Sequence, residues 1–346
     1  MYIKRILLII VLLGLVAAGI FSYYIYTTIF SPNTDFEGEQ FVFVSSDRSY
    51  ILVRNQLEDL LKDVESFDIV AQKKGYASNV KPGKYKLTEG MNNNDIINTL
   101  RSSNIPVQVS FNNQESLENL AGRISEQIEA DSISLLNAMR DIDFIANSPW
   151  SLETALTMYI PNSYEFYWNT SAEDFRDRMQ QEYNRFWNES RLKKAEAIGL
   201  SPQQVINLAS IVQKETAKVD ERPRVAGVYM NRLRVGMLLQ ADPTVIYAIK
   251  KQSGNFDTII KRVLYKDLEI DSPYNTYKYG GIPPGPIAMP DISSIDAVLN
   301  FEKHDYFYFV ANVENFGYHE FAKTLSQHNR NKQKYVNWIN KQGINR

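Results

Sequence analysis

The hydrophobic pattern divides the chain into three textures. From Ile6 to Phe30 no charge interrupts 25 residues. At ~1.5 Å per residue, a helix of that length spans a hydrocarbon core of ~30 Å. Lys4 and Arg5 precede it, which puts residues 1–5 in the cytoplasm and everything after Phe30 outside. Val16-Ala17-Ala18 offers the small residues of a cleaved signal peptide, but the apolar run continues past them. The pattern therefore predicts an uncleaved single-pass transmembrane helix over residues 6–30, followed by a polar linker at 31–39.

The second texture covers residues 40–104. Short segments there alternate between period 2 and period 3.6. Gln40–Ser45 and Gly83–Leu87 read as strands. Ser49–Leu61, Phe67–Lys74 and Asn94–Leu100 read as helices. This is a small α+β unit, too small to be an enzyme core alone. The third texture, residues 105–346, predicts a larger mixed α+β domain. It opens with a strand at Ile105–Phe111 and helices at Leu117–Ile128 and Asp131–Met139. A loop at Asp143–Trp150, an aromatic-dense stretch at Tyr159–Trp168 and one long polar helix over Ser171–Gly199 follow. Near the end, Tyr306–Ala311 and Tyr318–Phe321 read as strands, and Ser326–Lys341 as a terminal helix.

One stretch carries candidate chemistry. Ser201 as N-cap, Pro202 at the first helical position and Gln204 three residues after the serine mark a helix start. Val205, Leu208, Ile211, Val212, Glu215 and Val219 then fall at helical spacing, so a carboxylate shares an apolar stripe. Desolvation raises the pKa of such an acid, which is how a general acid stays protonated near neutral pH. The structural alternative pairs Glu215 with Arg222 or Arg224. A second acid is less evident. Asp220 and Glu221 lie in a charged turn with an exposed look, and Asp242, before Pro243, reads first as the cap of a third helix. Downstream, residues 271–290 hold five of the 13 prolines and three of the 16 glycines. A loop that stiff holds a shape, and ligand contacts concentrate on such loops.

Composition narrows the function classes. There is no cysteine, which excludes disulfides, thiolate zinc sites, iron–sulfur clusters and cysteine nucleophiles. His319 and His328 lie nine residues apart with no evident third ligand, a poor metal pair, so no metal and no cofactor is expected. A formal net charge of −2 gives no electrostatic reason for a nucleic-acid partner.

Four motifs occur in order: LASIVQKET, NRLRVGMLLQADPTVIYAI, SPYNTYKYGGIPPGPIAMP and GYHEFAKTLSQHN. Together they resemble the endolytic murein transglycosylase family, the YceG-like proteins. The layout of a membrane anchor followed by a small LysM-like unit resembles it too, with Lys81–Leu87 similar to that unit's Gly-x-Tyr turn. The resemblance implies a lyase that cuts the MurNAc–GlcNAc β-1,4 bond of nascent peptidoglycan. The 6-hydroxyl of the same MurNAc would attack, leaving a 1,6-anhydro end, so one carboxyl can serve as acid and then base. Glu215 matches the family's catalytic acid. Tyr164, Tyr229, Asn231, Gln240, Asp242, Thr244, Asn275, Tyr277, His319 and Asn329 match motif positions that wall the glycan cleft. Peptidoglycan synthases are the implied protein partners. The chain departs from the family at Gln213, where Glu is frequent, and at Leu156–Tyr164, where the family's acids and glycine are absent. Two alternatives stay open: a muramidase that uses water, and a non-catalytic glycan-binding scaffold.

Overall fold

A computed structural model of the chain describes residues 2–341. Met1 and residues 342–346, which the sequence pattern assigns to the cytoplasmic tail and the larger domain, lie outside the described residues. The chain forms two units. The first comprises Met1–Val109, Gln127–Ala130 and Tyr164–Ser171; the second comprises Ser110–Glu126, Asp131–Ser163 and Ala172–Arg346.

The first unit begins with α1 (Tyr2–Phe30), which buries none of its residues. It is long and apolar enough to cross a membrane. An orphan carbonyl at its end finds a side-chain partner further along the chain. Asn93 Nδ2 donates to Thr28 O at 2.8 Å, and Asn33 Nδ2 donates to Asn93 Oδ1 at 2.7 Å. Then come β1 (Glu39–Val44), α2 (Tyr50–Glu58), α3 (Val64–Lys73), β2 (Gly83–Thr88) and α4 (Asn93–Ser102). Ser49, Asp63 and Asn92 cap the three helices. β1 and β2 pair antiparallel, from Glu39 opposite Thr88 to Val44 opposite Gly83. Period-2 alternation turns Val42, Val44, Tyr85 and Leu87 into a core shared with Leu57, Phe67 and Ile96. β3 (Pro106–Phe111) follows.

In the second unit α5 (Leu117–Ser125), α6 (Ser132–Met139) and α7 (Ile142–Ala146) come first. The short α7 stands where a loop was expected, because Asp141 accepts from Phe144 N and caps a single turn. β4 (Asn162–Tyr167) pairs with β3, and the boundary between units cuts across both strands. The expected long helix over Ser171–Gly199 is two helices, α8 (Ala172–Phe186) and α9 (Glu189–Ala197). Asn188 breaks it by accepting from Arg191 N as an N-cap.

α10 (Pro202–Glu215) is the central helix of this unit. Ser201 and Gln204 form the expected capping box. Two expectations are corrected here. Every residue from Val205 to Val212 is buried, so the helix is enclosed on all sides there and not amphipathic. The helix also ends at Glu215: Thr216 is extended, and Val219 lies 56% exposed, off the apolar stripe. Thr216 Oγ1 accepts from Lys218 N and donates to Glu221, local bonds that compete with the helix.

α11 (Arg222–Arg234), α12 (Asp242–Ser253), α13 (Ile292–Leu299), β5 (Tyr308–Ala311), β6 (His319–Ala322) and α14 (Leu325–Lys341) complete the unit. β5 and β6 pair antiparallel. Asp242 does not cap α12 as expected: Ala241 holds the N-cap position, and no side chain caps it. The proline-rich loop is stitched to α10. Asn207 Nδ2 donates to Pro283 O at 3.0 Å, and Ser210 Oγ accepts from Ile287 N at 3.0 Å. Gly285 is required by close approach, since a Cβ there would meet Glu153 O at 2.4 Å.

Candidate active site

Glu215 sits at the last turn of α10, where the buried helix emerges into a cavity of about 390 Å³. Neither arginine of the structural alternative reaches it: Arg222 pairs with Asp291 and Arg224 with Glu302. Its partner is Tyr229 on α11, whose hydroxyl donates to Glu215 Oε1 at 2.7 Å. Glu215 is half-buried: it borders the cavity, while enough protein surrounds the carboxyl to desolvate it. Burial is the largest influence and pushes its pKa from 4.5 up to about 7. The Tyr229 bond and the charges of His319 and Arg232 pull it down, while Asp242 pushes it up. Burial and the adjacent carboxylate hold the Tyr229 hydroxyl far above its usual range, so it remains a donor.

Asp242 and Gln240 enter the same cavity from the start of α12. Asp242 Oδ1 accepts from the Tyr277 hydroxyl at 2.5 Å, which orients the carboxylate across the cavity wall. Gln240 has φ +50, an uncommon conformation for a residue with a side chain, which costs on the order of 1–3 kcal/mol. Its backbone N–H bonds to Thr276 O at 3.0 Å, which ties it to the proline-rich loop.

The remaining expected residues divide by what their polar atoms touch. Asn231 Nδ2 donates to His304 O and Tyr306 O; Asn275 Nδ2 donates to Leu268 O and Ile270 O; Thr244 Oγ1 donates to Ala241 O. All three are buried and their bonds hold loops around the cavity. Tyr164 lies on β4 in the first unit. Asn329 is exposed on α14. His319 meets Glu221, which is buried and not the exposed acid expected from its charged turn. Glu221 Oε1 accepts from His319 N at 2.7 Å, and Oε2 lies 2.8 Å from His319 Nδ1. A carboxylate only accepts, so Nδ1 carries the proton. Burial pushes Glu221 upward, but the His319 bonds and the Thr216 hydroxyl outweigh it and hold its pKa below the usual value. The same carboxylate thus fixes the residue after Glu215 and the histidine that biases it.

The cavity also takes residues outside the expected set: Arg232 and His328, which lie within the quoted motifs, and Tyr308, Phe309 and Lys332, which lie outside them. Arg232 is buried and donates to the carbonyls of Phe307 and Leu239, so it braces the cavity rather than opening into it. These residues come from α11, β5 and α14. The available signal was weak: histidine and lysine four apart on a helix. Gln213, where the family frequently has Glu, accepts from Asp291 N and from Ser294 Oγ at 3.0 Å. It therefore caps α13 from a neighbouring helix.

A larger cavity of about 680 Å³ holds Glu115, Glu118 and Glu153. Each of these acids is ion-paired: Glu115 with Lys214 and Lys250, Glu118 with Arg140, Glu153 with Lys251. Paired and ionised acids are poor proton donors, so the acid chemistry concentrates at Glu215. Among the described residues, no group of three or more His, Asp or Glu could hold a metal ion.

The sequence pattern described as the YceG-like family matches residues 42–334. A protein of Bacillus subtilis (strain 168) named endolytic murein transglycosylase is 33% identical over 297 residues, covering 80% of this chain and 79% of that protein. A Streptococcus pneumoniae (strain ATCC BAA-255 / R6) protein of the same name is 29% identical over 309 residues. That match covers 80% of this chain and 54% of the relative, so the chain spans about half of the pneumococcal protein's length. A crystal structure of a yceG-like protein from Listeria monocytogenes is similar with a TM-score of 0.57 and 29% identity, covering 85% of this chain and 98% of that one.

Proposed function

Since this chain belongs to the YceG-like family, we propose that it is an endolytic peptidoglycan lytic transglycosylase with Glu215 as its acid and base. The observation that carries this reading is a carboxyl on a cavity wall, without an ion-pair partner among the described residues, with its pKa raised to about 7. Held protonated, it donates to the oxygen that leaves the β-1,4 bond. Ionised by that step, it then accepts the proton of the MurNAc 6-hydroxyl as that oxygen attacks the anomeric carbon. The product is a 1,6-anhydro end, and Glu215 finishes protonated. Tyr229 steadies the ionised intermediate through its hydrogen bond.

In this reading residues 40–104 form the LysM-like, glycan-binding unit and residues 105–346 the catalytic domain. α1 anchors the chain in the plasma membrane with residues 1–5 in the cytoplasm, which puts the cavity on the side where nascent strands are made. Peptidoglycan synthases are the partners that the family resemblance implies.

One observation favours a second reading. Asp242 shares the cavity with Glu215, and a second carboxylate is what a water-using muramidase needs. Mass analysis of digested, uncrosslinked glycan strands separates the two, because a hydrolysed end is heavier than an anhydro end by one water. Glu215→Gln is expected to lower the rate of anhydro-end formation at least ~10²-fold. Anhydro ends formed at the unaltered rate by this variant would sink the assignment.

A further inference from the structure

We infer that the α14 wall of the Glu215 cavity is a subsite for a carboxylate carried by the substrate, held by Lys332 and His328. The inference rests on the reading that the substrate is a peptidoglycan strand. Leu325, His328 and Lys332 all border the cavity, and their spacing of three and four puts them on one face of α14. Two other lysines on or near this helix are neutralised: Lys334 pairs with Glu320 and Lys323 with Asp305. Lys332 has no hydrogen-bond or ion-pair partner among the described residues. One turn earlier, the His328 ring stacks on Tyr308 with centroids 5.3 Å apart and planes at 23°. Its Nδ1 is buried and unpartnered. Burial and the Lys332 charge push the His328 pKa down, which keeps the ring neutral and able to donate one hydrogen bond.

Positive charge on this side of the cavity suits an anion there. Arg232 lies over the Tyr308 ring on which His328 stacks, its own bonds going to backbone carbonyls, while the acids Glu215 and Asp242 border the same cavity. Uncharged sugar rings need no free ammonium. A muramyl sugar carries a carboxylate either on its lactyl group, when the strand is bare, or on its stem peptide. Either would meet Lys332 by charge and His328 by hydrogen bonding.

The test uses the full chain in detergent with Glu215→Gln, so that ligand is not consumed. Binding is measured to bare strands and to peptide-bearing strands, each native and with carboxylates converted to methylamides. Amidation is expected to weaken binding about tenfold in one of the two series, which identifies the lactyl group or the stem as the source. Adding Lys332→Met should abolish that difference by weakening only the native form, His328→Leu should reduce it, and Lys332→Arg should preserve it. The subsite is overturned if amidation changes nothing, or if Lys332→Met weakens native and amidated strands alike while the unsubstituted chain still cleaves them. If no strand binds, and none is cleaved by the unsubstituted chain, the peptidoglycan reading falls with it.

Discussion

At the scale of single residues, the environment of Glu215 yields two predictions. Its pKa in the folded chain is raised above 4.5 to about 7 by burial. The fold therefore favours the protonated form. The stability it permits is fully present below pH 4.5 and is lost as pH rises through about 7. Glu215→Gln removes this dependence and keeps an oxygen to accept from Tyr229. The variant should match the parent in thermal midpoint at pH 4 and exceed it at pH 8, as read by scanning calorimetry. A parent whose midpoint does not fall relative to the variant over that range would contradict the raised pKa. The second prediction concerns activity. If Glu215 must be protonated, kcat/KM falls above about pH 7. Tyr229→Phe removes a bond that favours the ionised form, so the descending limb should move to higher pH. A limb that stays put or moves down would show that Tyr229 does not set the proton affinity. The sequence placed Glu215 next to apolar residues, and that much follows from chain spacing. Tyr229 could be named from the family resemblance, but its hydroxyl aimed at the acid depends on how α11 packs against α10.

At the scale of elements, α10 is a buried rod whose polar side chains fasten everything around it. Asn207 and Ser210 hold the proline-rich loop, and Gln213 caps α13. Removing that cap with Gln213→Ala should cost about 1 kcal/mol, seen as a lower urea midpoint. Gln213→Glu keeps an accepting oxygen and should cost less than Gln213→Ala; equal losses would argue against a capping role. Two element boundaries were misread from sequence for the same physical reason. Asn188 and Thr216 have side chains that bond locally to backbone, and helical spacing on either side cannot reveal that these bonds win. Glu221 was misread in a different way. A run of charges looks solvated, but this one folds back on β6, where Tyr318 donates to Asp220 at 3.0 Å and His319 meets Glu221.

At the scale of the whole molecule, α1 stands apart by composition, with none of its 29 residues buried. Deleting residues 1–30 should release the protein from the membrane fraction while leaving anhydro-end formation by the remaining chain. A truncated chain that still sediments with membranes would show that a second surface binds them. The long apolar helix, the small α+β unit and the existence of a lone acid on a helix were written in the linear pattern, because each depends on residues close together in sequence. Hydrophobic length, period-2 alternation and capping chemistry are local properties. The tertiary structure alone decided which partners that acid has, that Asp242 shares its cavity rather than capping a helix, and that Lys332 and His328 face it from α14. Those residues lie from 14 to more than 100 residues from Glu215 along the chain. Only packing α10, α11, α12, β5 and α14 around one cavity turns their separate chemistries into a single field acting on one proton.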